Sequence, residues 1–150
     1  EARAHMLAAA SMGAAAFQKG LGGVHALAHP LGAVYDKHHG LLNAVLLPYV
    51  MVRNRDALDE KMDLLARVLN LPGRGFDAVL KWTLDFRKQL GIPMALADIS
   101  VPGDRVTDIG AMALADPSSG GNPVVLTAGD YADIFKHALS GDLCFQKKVA

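Results

Sequence analysis

Two stretches of the sequence decide the fold: GGVHALAHPLG at residues 22–32 and HGLLNAVLLP at residues 39–48. Apolar residues recur in both without the strict polar–apolar alternation of a half-buried strand, so each stretch indicates a helix. We predict a short helix over residues 24–35 and a second one over residues 41–53. Because proline removes a helical hydrogen bond, Pro30 predicts a distortion in the first helix and Pro48 a kink in the second.

The segments on either side predict further helices and no sheet. Residues 1–19 are rich in Ala and Met, contain no proline and predict a mostly buried helix. Thr127 followed by Asp130 resembles a capping box, which predicts a helix that ends at about Leu139. The remaining helices are predicted over residues 57–70, 76–90 and 106–115. No segment alternates long enough to form a sheet, so the sequence predicts an all-α fold.

Composition places the chain among globular domains and excludes several classes of partner. Of 150 residues, 51% are apolar and 20% are charged, and 15 basic residues balance 15 acidic ones. A chain without net charge has no long-range field that attracts nucleic acid or an anionic membrane. Its most apolar segment, residues 41–52, is shorter than the ~20 residues that cross a bilayer. The single cysteine, Cys144, forms no internal disulfide, so we expect a reducing, cytoplasmic location.

Six histidines are present, and four of them lie within fifteen residues, at positions 25, 29, 38 and 39. On a helix, His25 and His29 are one turn apart and project from the same face. His39 follows one loop later, where its side chain is able to turn back toward that face. Neutral imidazole is a common ligand of zinc and ferrous iron. The spacing alone leaves two interpretations open: a metal site, or surface histidines beside a core histidine with satisfied hydrogen bonds.

The surroundings of these histidines resemble the signature of the iron-containing (group III) alcohol dehydrogenases. Two glycines, three histidines, two prolines and an Asn-Ala-x-Leu-Leu-Pro helix occur at that family's offsets in residues 22–48. Ala15-Ala16-Phe17, Gly91-Ile92-Pro93 and Asn122-Pro123 also resemble the family, so the resemblance reaches to about Gly141. It implies that residues 1–150 are a fragment: the C-terminal helical metal-binding domain, a bundle of the iron-containing alcohol dehydrogenase or dehydroquinate synthase-like fold.

The same resemblance implies roles for three histidines. His25 and His39, fourteen positions apart, would be two ligands of a divalent metal, Fe2+ or Zn2+. The other ligands, an Asp and a third His, belong to a helix outside these residues. His29 would lie beside the nicotinamide and the substrate and relay the alcohol proton. Gly20-Leu21-Gly22 lacks the rest of a dinucleotide fingerprint, so NAD or NADP would bind to an N-terminal nucleotide-binding domain that is absent from this chain.

As a whole enzyme, such a protein would transfer hydride between the nicotinamide and a small alcohol or aldehyde that the metal activates. Two alternatives stay open: an enzyme similar to the maleylacetate reductases, which work without a metal, and a non-catalytic helical module that packs against a partner. We expect the isolated fragment to lack dehydrogenase activity. Because residues 1–19 and 41–52 are apolar on most sides, we also expect it to form homo-oligomers through these two helices.

Other chemically suggestive residues are predicted to be structural. Trp82 and Phe86, four positions apart, are expected to pack in the core. His38 is expected to be an exposed loop residue, and Cys144 is assigned no catalytic role. The dipeptides Asp116-Pro117 and Asn122-Pro123 are expected to form turns.

Overall fold

Seven α-helices are formed by residues 1–144, the part of the chain that the computed structural model describes. They are α1 (Ala2–Phe17), α2 (Gly23–Tyr35), α3 (His39–Arg53), α4 (Asp59–Val68), α5 (Gly75–Gln89), α6 (Val106–Ala115) and α7 (Ala128–Ser140). Three short 3-10 turns lie between helices, at Arg55–Ala57, Ala97–Ile99 and Pro117–Gly121. Residues 1–144 contain no strand, so the predicted all-α fold is confirmed. None of the helices in this part of the chain is long and apolar enough to cross a membrane.

Helices α2 and α3 lie at the centre of the main hydrophobic core, and α6 and α7 pack against them. The fully buried side chains of this core include Leu27, Leu31, Leu42, Leu46, Ile109 and Phe135. A second, smaller cluster joins the end of α3 to α4 and α5 through Met51, Ala66, Phe76 and Val79. Helix α3 belongs to both clusters, and α2 is packed against three helices. The backbone positions of the side chains on these two helices are therefore held rigidly.

Both prolines lie inside continuous helices. Pro30 is within α2 and Pro48 is within α3, and both residues are buried. Apolar contacts of the buried rings offset the hydrogen bond that each proline removes. Each helix also begins slightly earlier than predicted: α2 begins at Gly23 instead of residue 24, and α3 begins at His39 instead of residue 41.

Local signals at two helix ends act as expected. The capping box is confirmed, because Thr127 Oγ1 accepts the N–H of Asp130 and the Asp130 carboxylate accepts the N–H of Thr127. Gly141 follows the last residue of α7 with a φ of 81°, a left-handed conformation that glycine adopts without strain. The fourth helix begins later than residue 57, since the chain first makes the turn Arg55–Ala57.

The prediction that the first helix is mostly buried is wrong. No residue of α1 is buried within the described chain, and Met6, Leu7 and Met12 are 69–73% exposed. A helix that is apolar all round requires a cover, which residues 1–144 do not provide. The segment 41–52, in contrast, is mostly covered by neighbouring helices, so it offers less surface for contact between copies than its composition predicts.

Trp82 and Phe86 do not pack in the core as predicted. The buried stripe of α5 carries Phe76, Val79 and Thr83. Trp82 and Phe86 lie off this stripe, are 39% and 45% exposed, and stack on each other with ring centroids 5.4 Å apart. Their spacing of four residues places them on the same face of the helix, but the face is the solvent side.

Candidate metal centre

Helices α2 and α3 bring three histidines together. His25 and His29 lie one turn apart on α2, and His39 is the first residue of α3. The ring centroids are 5.8 Å apart for His25 and His29, 5.3 Å for His25 and His39, and 5.3 Å for His29 and His39. The three side chains for which the sequence predicts a shared site thus lie within contact distance of one another.

The amide of Asn43 lies between two of these rings. Its Nδ2 atom is 2.9 Å from Nε2 of His39, one helical turn earlier on α3, and 3.2 Å from Nε2 of His25 on α2. An amide nitrogen only donates, so both Nε2 atoms accept and turn their lone pairs toward the same point. Asn43 Oδ1 is buried and has no hydrogen-bond partner among residues 1–144.

The surroundings of His25 suit metal binding. His25 is half-buried, and burial, followed by the charges that His39 and His29 would carry, lowers the pKa of His25. The ring of Phe17 meets the His25 ring edge to face, with centroids 6.1 Å apart. A histidine that stays neutral keeps the lone pair that a metal ion requires. Two imidazoles with convergent Nε2 atoms are a donor set that fits zinc or ferrous iron.

Two imidazoles do not complete such a centre. In the part of the chain that the structure describes, no three His, Cys, Asp or Glu side chains are arranged to hold a metal ion by themselves. Catalytic zinc sites have three protein ligands and an open position. An ion held by His25 and His39 therefore needs further ligands from outside this range or from solvent.

Asp116 holds the third histidine. Nδ1 of His29 lies 2.8 Å from Asp116 Oδ2, and Asp116 Oδ1 accepts the N–H of Ser118 at 2.8 Å. Burial opposes ionisation of Asp116, but hydrogen bonds from Ser118 and His29 outweigh it and lower the pKa of this carboxyl. The carboxylate accepts the Nδ1 proton, so Nε2 of a neutral His29 is left as a proton acceptor.

The Asp116–His29 pair was not predicted. The two residues are 87 positions apart, and in the sequence Asp116 shows only the signal of a turn. That turn is present, because Asp116 also caps the 3-10 segment Pro117–Gly121. A carboxylate that caps a turn at the end of α6 is the single local signal, and it does not identify a partner on α2.

Asn122 fixes the beginning of α2, a role that its predicted turn does not explain. Its Oδ1 accepts the N–H of Gly23 at 3.1 Å and a side-chain N–H of Asn54 at 2.9 Å. Its Nδ2 donates to Asn54 Oδ1 at 2.9 Å and to the carbonyl of Val124 at 2.7 Å. Because Gly23 is two residues before His25, this amide also determines where the His25 side chain starts.

An open cleft of about 570 Å3 lies beside His25. Most of the residues along its wall are apolar or glycine, among them Phe17, Leu47 and Met51. Asn43 also lines the cleft, so the cleft reaches the histidine cluster. A small, mostly apolar molecule in this cleft would lie next to the imidazoles.

The remaining candidate residues are not part of the cluster formed by His25, His29 and His39. His38 is exposed, as predicted, and its Nδ1 accepts the N–H of Leu41 at 3.2 Å, which caps α3. Cys144 is an exposed free thiol. His5 lies on the exposed helix α1.

Comparison with known proteins identifies the class. The C-terminal region of the Fe-containing alcohol dehydrogenase family matches residues 1–139. The chain therefore belongs to the iron-containing alcohol dehydrogenase family, and the resemblance read from its histidine stretch is confirmed.

Individual members of the family are similar over most of this chain. Lactaldehyde reductase of Escherichia coli (strain K12) is 37% identical over 125 residues, which are 79% of this chain and 33% of that protein. 4-Hydroxybutyrate dehydrogenase of Cupriavidus necator is 37% identical over 148 residues, which are 93% of this chain and 38% of that protein. The crystal structure of a 1,3-propanediol oxidoreductase superposes with a TM-score of 0.74 at 34% identity, over 79% of this chain and 33% of that one. The chain thus spans about a third of the length of these relatives.

Proposed function

We propose that this chain is the C-terminal helical metal-binding domain of an NAD- or NADP-linked oxidoreductase that interconverts a small alcohol and its aldehyde in the cytoplasm. Family membership and the printed names of the relatives support the reaction class. The observation that carries the proposal is the convergence of His25, His29 and His39, with two Nε2 atoms directed at one point. The nucleotide would bind to the two thirds of the relatives' length that this chain does not match.

His25 and His39 would hold the metal through Nε2, together with ligands from outside the chain. Their convergent imidazoles fit either Fe2+ or Zn2+, and the lowered pKa of His25 keeps its lone pair free. When bound, such an ion supplies Lewis acidity to the oxygen of the alcohol or aldehyde.

The other residues of the site bind the substrate and move its proton. Nε2 of His29 accepts the proton of the alcohol hydroxyl, and Asp116 at Nδ1 holds the ring in the tautomer that this step requires. Nε2 of His29, on a side chain that is 41% exposed, then releases this proton to water. Phe17 and Leu47 in the cleft orient the carbon chain of the substrate and keep water from the rest of it.

Two substitutions in the full-length protein test the ligands. His25→Ala and His39→Ala should each lower the metal content, measured by atomic emission, and abolish turnover at the same time, because a methyl group does not replace an imidazole. His5→Ala removes an exposed imidazole on α1 and is the matched control, expected to keep both metal and activity. Full activity and full metal in either of the first two variants would show that the ligand assignment is wrong.

His29→Ala separates proton transfer from metal binding. It should retain the metal but lose about 100- to 10,000-fold in turnover, the usual contribution of a general acid–base group. Loss of metal in this variant would make His29 a ligand instead. Turnover that survives complete removal of metal by a chelator would favour the maleylacetate reductase-like alternative, and a full-length protein with neither metal nor turnover would favour a packing module.

A further inference from the structure

The side chain of Asn43 constrains the two expected metal ligands before any ion binds. Its Nδ2 atom lies 2.9 Å from His39 Nε2 and 3.2 Å from His25 Nε2. The amide nitrogen has two hydrogens and accepts nothing, so it supplies one donor for each ring. A neutral imidazole that accepts at Nε2 carries its proton on Nδ1, so the amide favours this tautomer in both rings.

We propose that Asn43 is a positioning residue: it keeps His25 and His39 in the tautomer with an unprotonated Nε2, and its amide leaves the space between them when a metal ion binds. The first part concerns the metal-free chain alone. The second part rests on the proposed function, because it requires that both histidines are ligands.

The helix packing explains why one amide reaches both rings. Asn43 is four residues after His39, so the two side chains share a face of α3. Leu42 and Leu46 beside it are fully buried in the core that α2 and α3 share, which holds Asn43 against the helix that carries His25. The position of Asn43 relative to the two rings is therefore set by buried residues, not by the exposed ends of the histidines.

The unpartnered oxygen of the amide explains why it is able to leave. Within residues 1–144, Asn43 Oδ1 is buried without a hydrogen-bond partner. The two imidazoles are thus the only hydrogen-bond partners of this amide in the described chain. A metal ion competes for the same two lone pairs, so it displaces the amide without breaking any other side-chain hydrogen bond.

Nitrogen NMR of the metal-free chain tests the first part. With 15N-labelled histidine and a chelator present, we expect His25 and His39 to show an unprotonated Nε2 and a protonated Nδ1. His38 is an internal control of the opposite kind, since its Nδ1 accepts the N–H of Leu41. A protonated Nε2 in either His25 or His39 of the unmodified chain would overturn the inference.

Asn43→Asp replaces the amide that donates to both rings by a carboxylate of nearly the same shape. A carboxylate only accepts, so it should draw a proton onto Nε2 of at least one of the two rings, while His38 stays unchanged. Asn70→Asp is the matched control, because Asn70 is exposed after α4 and the change adds the same charge. An unchanged tautomer in a folded Asn43→Asp variant, with helicity checked by circular dichroism, would also overturn the inference.

Zinc added to the unmodified chain tests the second part. Millimolar Zn2+ should shift the ring resonances of His25 and His39 and the side-chain amide resonance of Asn43 together, and should leave the Asn70 amide in place. Shifted rings with an unmoved Asn43 amide would contradict displacement. If Zn2+ shifts neither ring, the metal site and the displacement both fail, whereas the tautomer of the metal-free chain is decided separately.

Discussion

Replacing Gly23 by alanine tests how tightly the first turn of α2 is packed against Asn122. A Cβ at Gly23 would lie 3.0 Å from Asn122 Oδ1 and 3.2 Å from Val50 Cγ1. Asn122 has little freedom to move aside, because its amide also bonds Asn54 and Val124. Val50 is 4% exposed in the main core. The new methyl group therefore has to push the first turn of α2 away from the loop that contains Asn122.

The size of the effect follows from three contributions. An extra carbon in a filled site costs roughly 1–3 kcal/mol. Weakening the hydrogen bond from Gly23 N–H to Asn122 Oδ1 adds about 1 kcal/mol. Alanine in a helix recovers at most about 1 kcal/mol relative to glycine. The net loss in the free energy of unfolding is about 1–3 kcal/mol, and each kcal/mol lowers the Tm of a chain of this length by roughly 2–4 °C.

Gly32→Ala is the matched control within the same helix. Its Cβ would meet only the Lys37 carbonyl oxygen at 3.5 Å and Leu42 Cδ1 at 3.7 Å, which are ordinary contacts. This variant should gain about 0.5–1 kcal/mol, so the two substitutions should change stability in opposite directions. Thermal and urea unfolding followed by circular dichroism measures both. A Gly23→Ala chain as stable as Gly32→Ala would refute the reasoning.

Three further predictions concern the site, a helix cap and the exposed helix. Asp116→Ala in the full-length enzyme should lower kcat about 10- to 100-fold with the metal retained, part of the usual ~100- to 10,000-fold of acid–base catalysis; unchanged kcat would remove Asp116 from the proton path. Thr127→Ala should cost about 0.5–2 kcal/mol in urea unfolding, because α7 loses its capping box, and no loss would contradict that role. The isolated chain should scatter light as a dimer or larger oligomer, should become smaller when Met6 and Met12 are changed to lysine, and should show no turnover with NAD or NADP; a monomer, or turnover, would contradict this.

The elements that were predicted well are those whose signals are local. The capping box at Thr127 and Asp130 involves residues three apart, and the glycine that ends α7 acts on its own backbone. Loops rich in glycine and proline separate the helices as expected. Such signals depend on neighbours in the sequence, so the number and approximate bounds of the helices are available without tertiary structure.

The predictions that failed concern which face of a helix meets which neighbour. Trp82 and Phe86 have the spacing of a core pair, yet Phe76 and Val79 occupy the face that α3 and α4 cover. The apolar composition of α1 indicates burial, but residues 1–144 provide no cover for it. Composition measures how much apolar surface a helix has, whereas the partner that buries it is set by the whole fold.

In the candidate site, too, the local contacts were predicted and the long-range contact was not. His25, His29 and His39 were predicted together because one helical turn and one short loop separate them. Asp116 was not, since it reaches His29 only after α6 has folded back against α2. Long-range hydrogen bonds of this kind have no periodic signal in a single sequence, and here one of them determines which nitrogen of His29 faces Asp116.

Helix α2 carries His25 and His29 and is packed in the main hydrophobic core. Ala26, Leu27 and Ala28 are fully buried between the two histidines of this helix. Any rotation that moved His25 or His29 would expose part of this buried surface, at about 25 cal/mol for each Å2 of apolar area. The backbone positions of His25 and His29 are therefore fixed by the packing of α2, and hydrogen bonds with Asn43 and Asp116 hold the two rings. Any further ligands of the proposed metal site would therefore meet imidazoles already in place, so metal affinity should be higher in the full-length protein than in this chain, while the histidine tautomers should be the same.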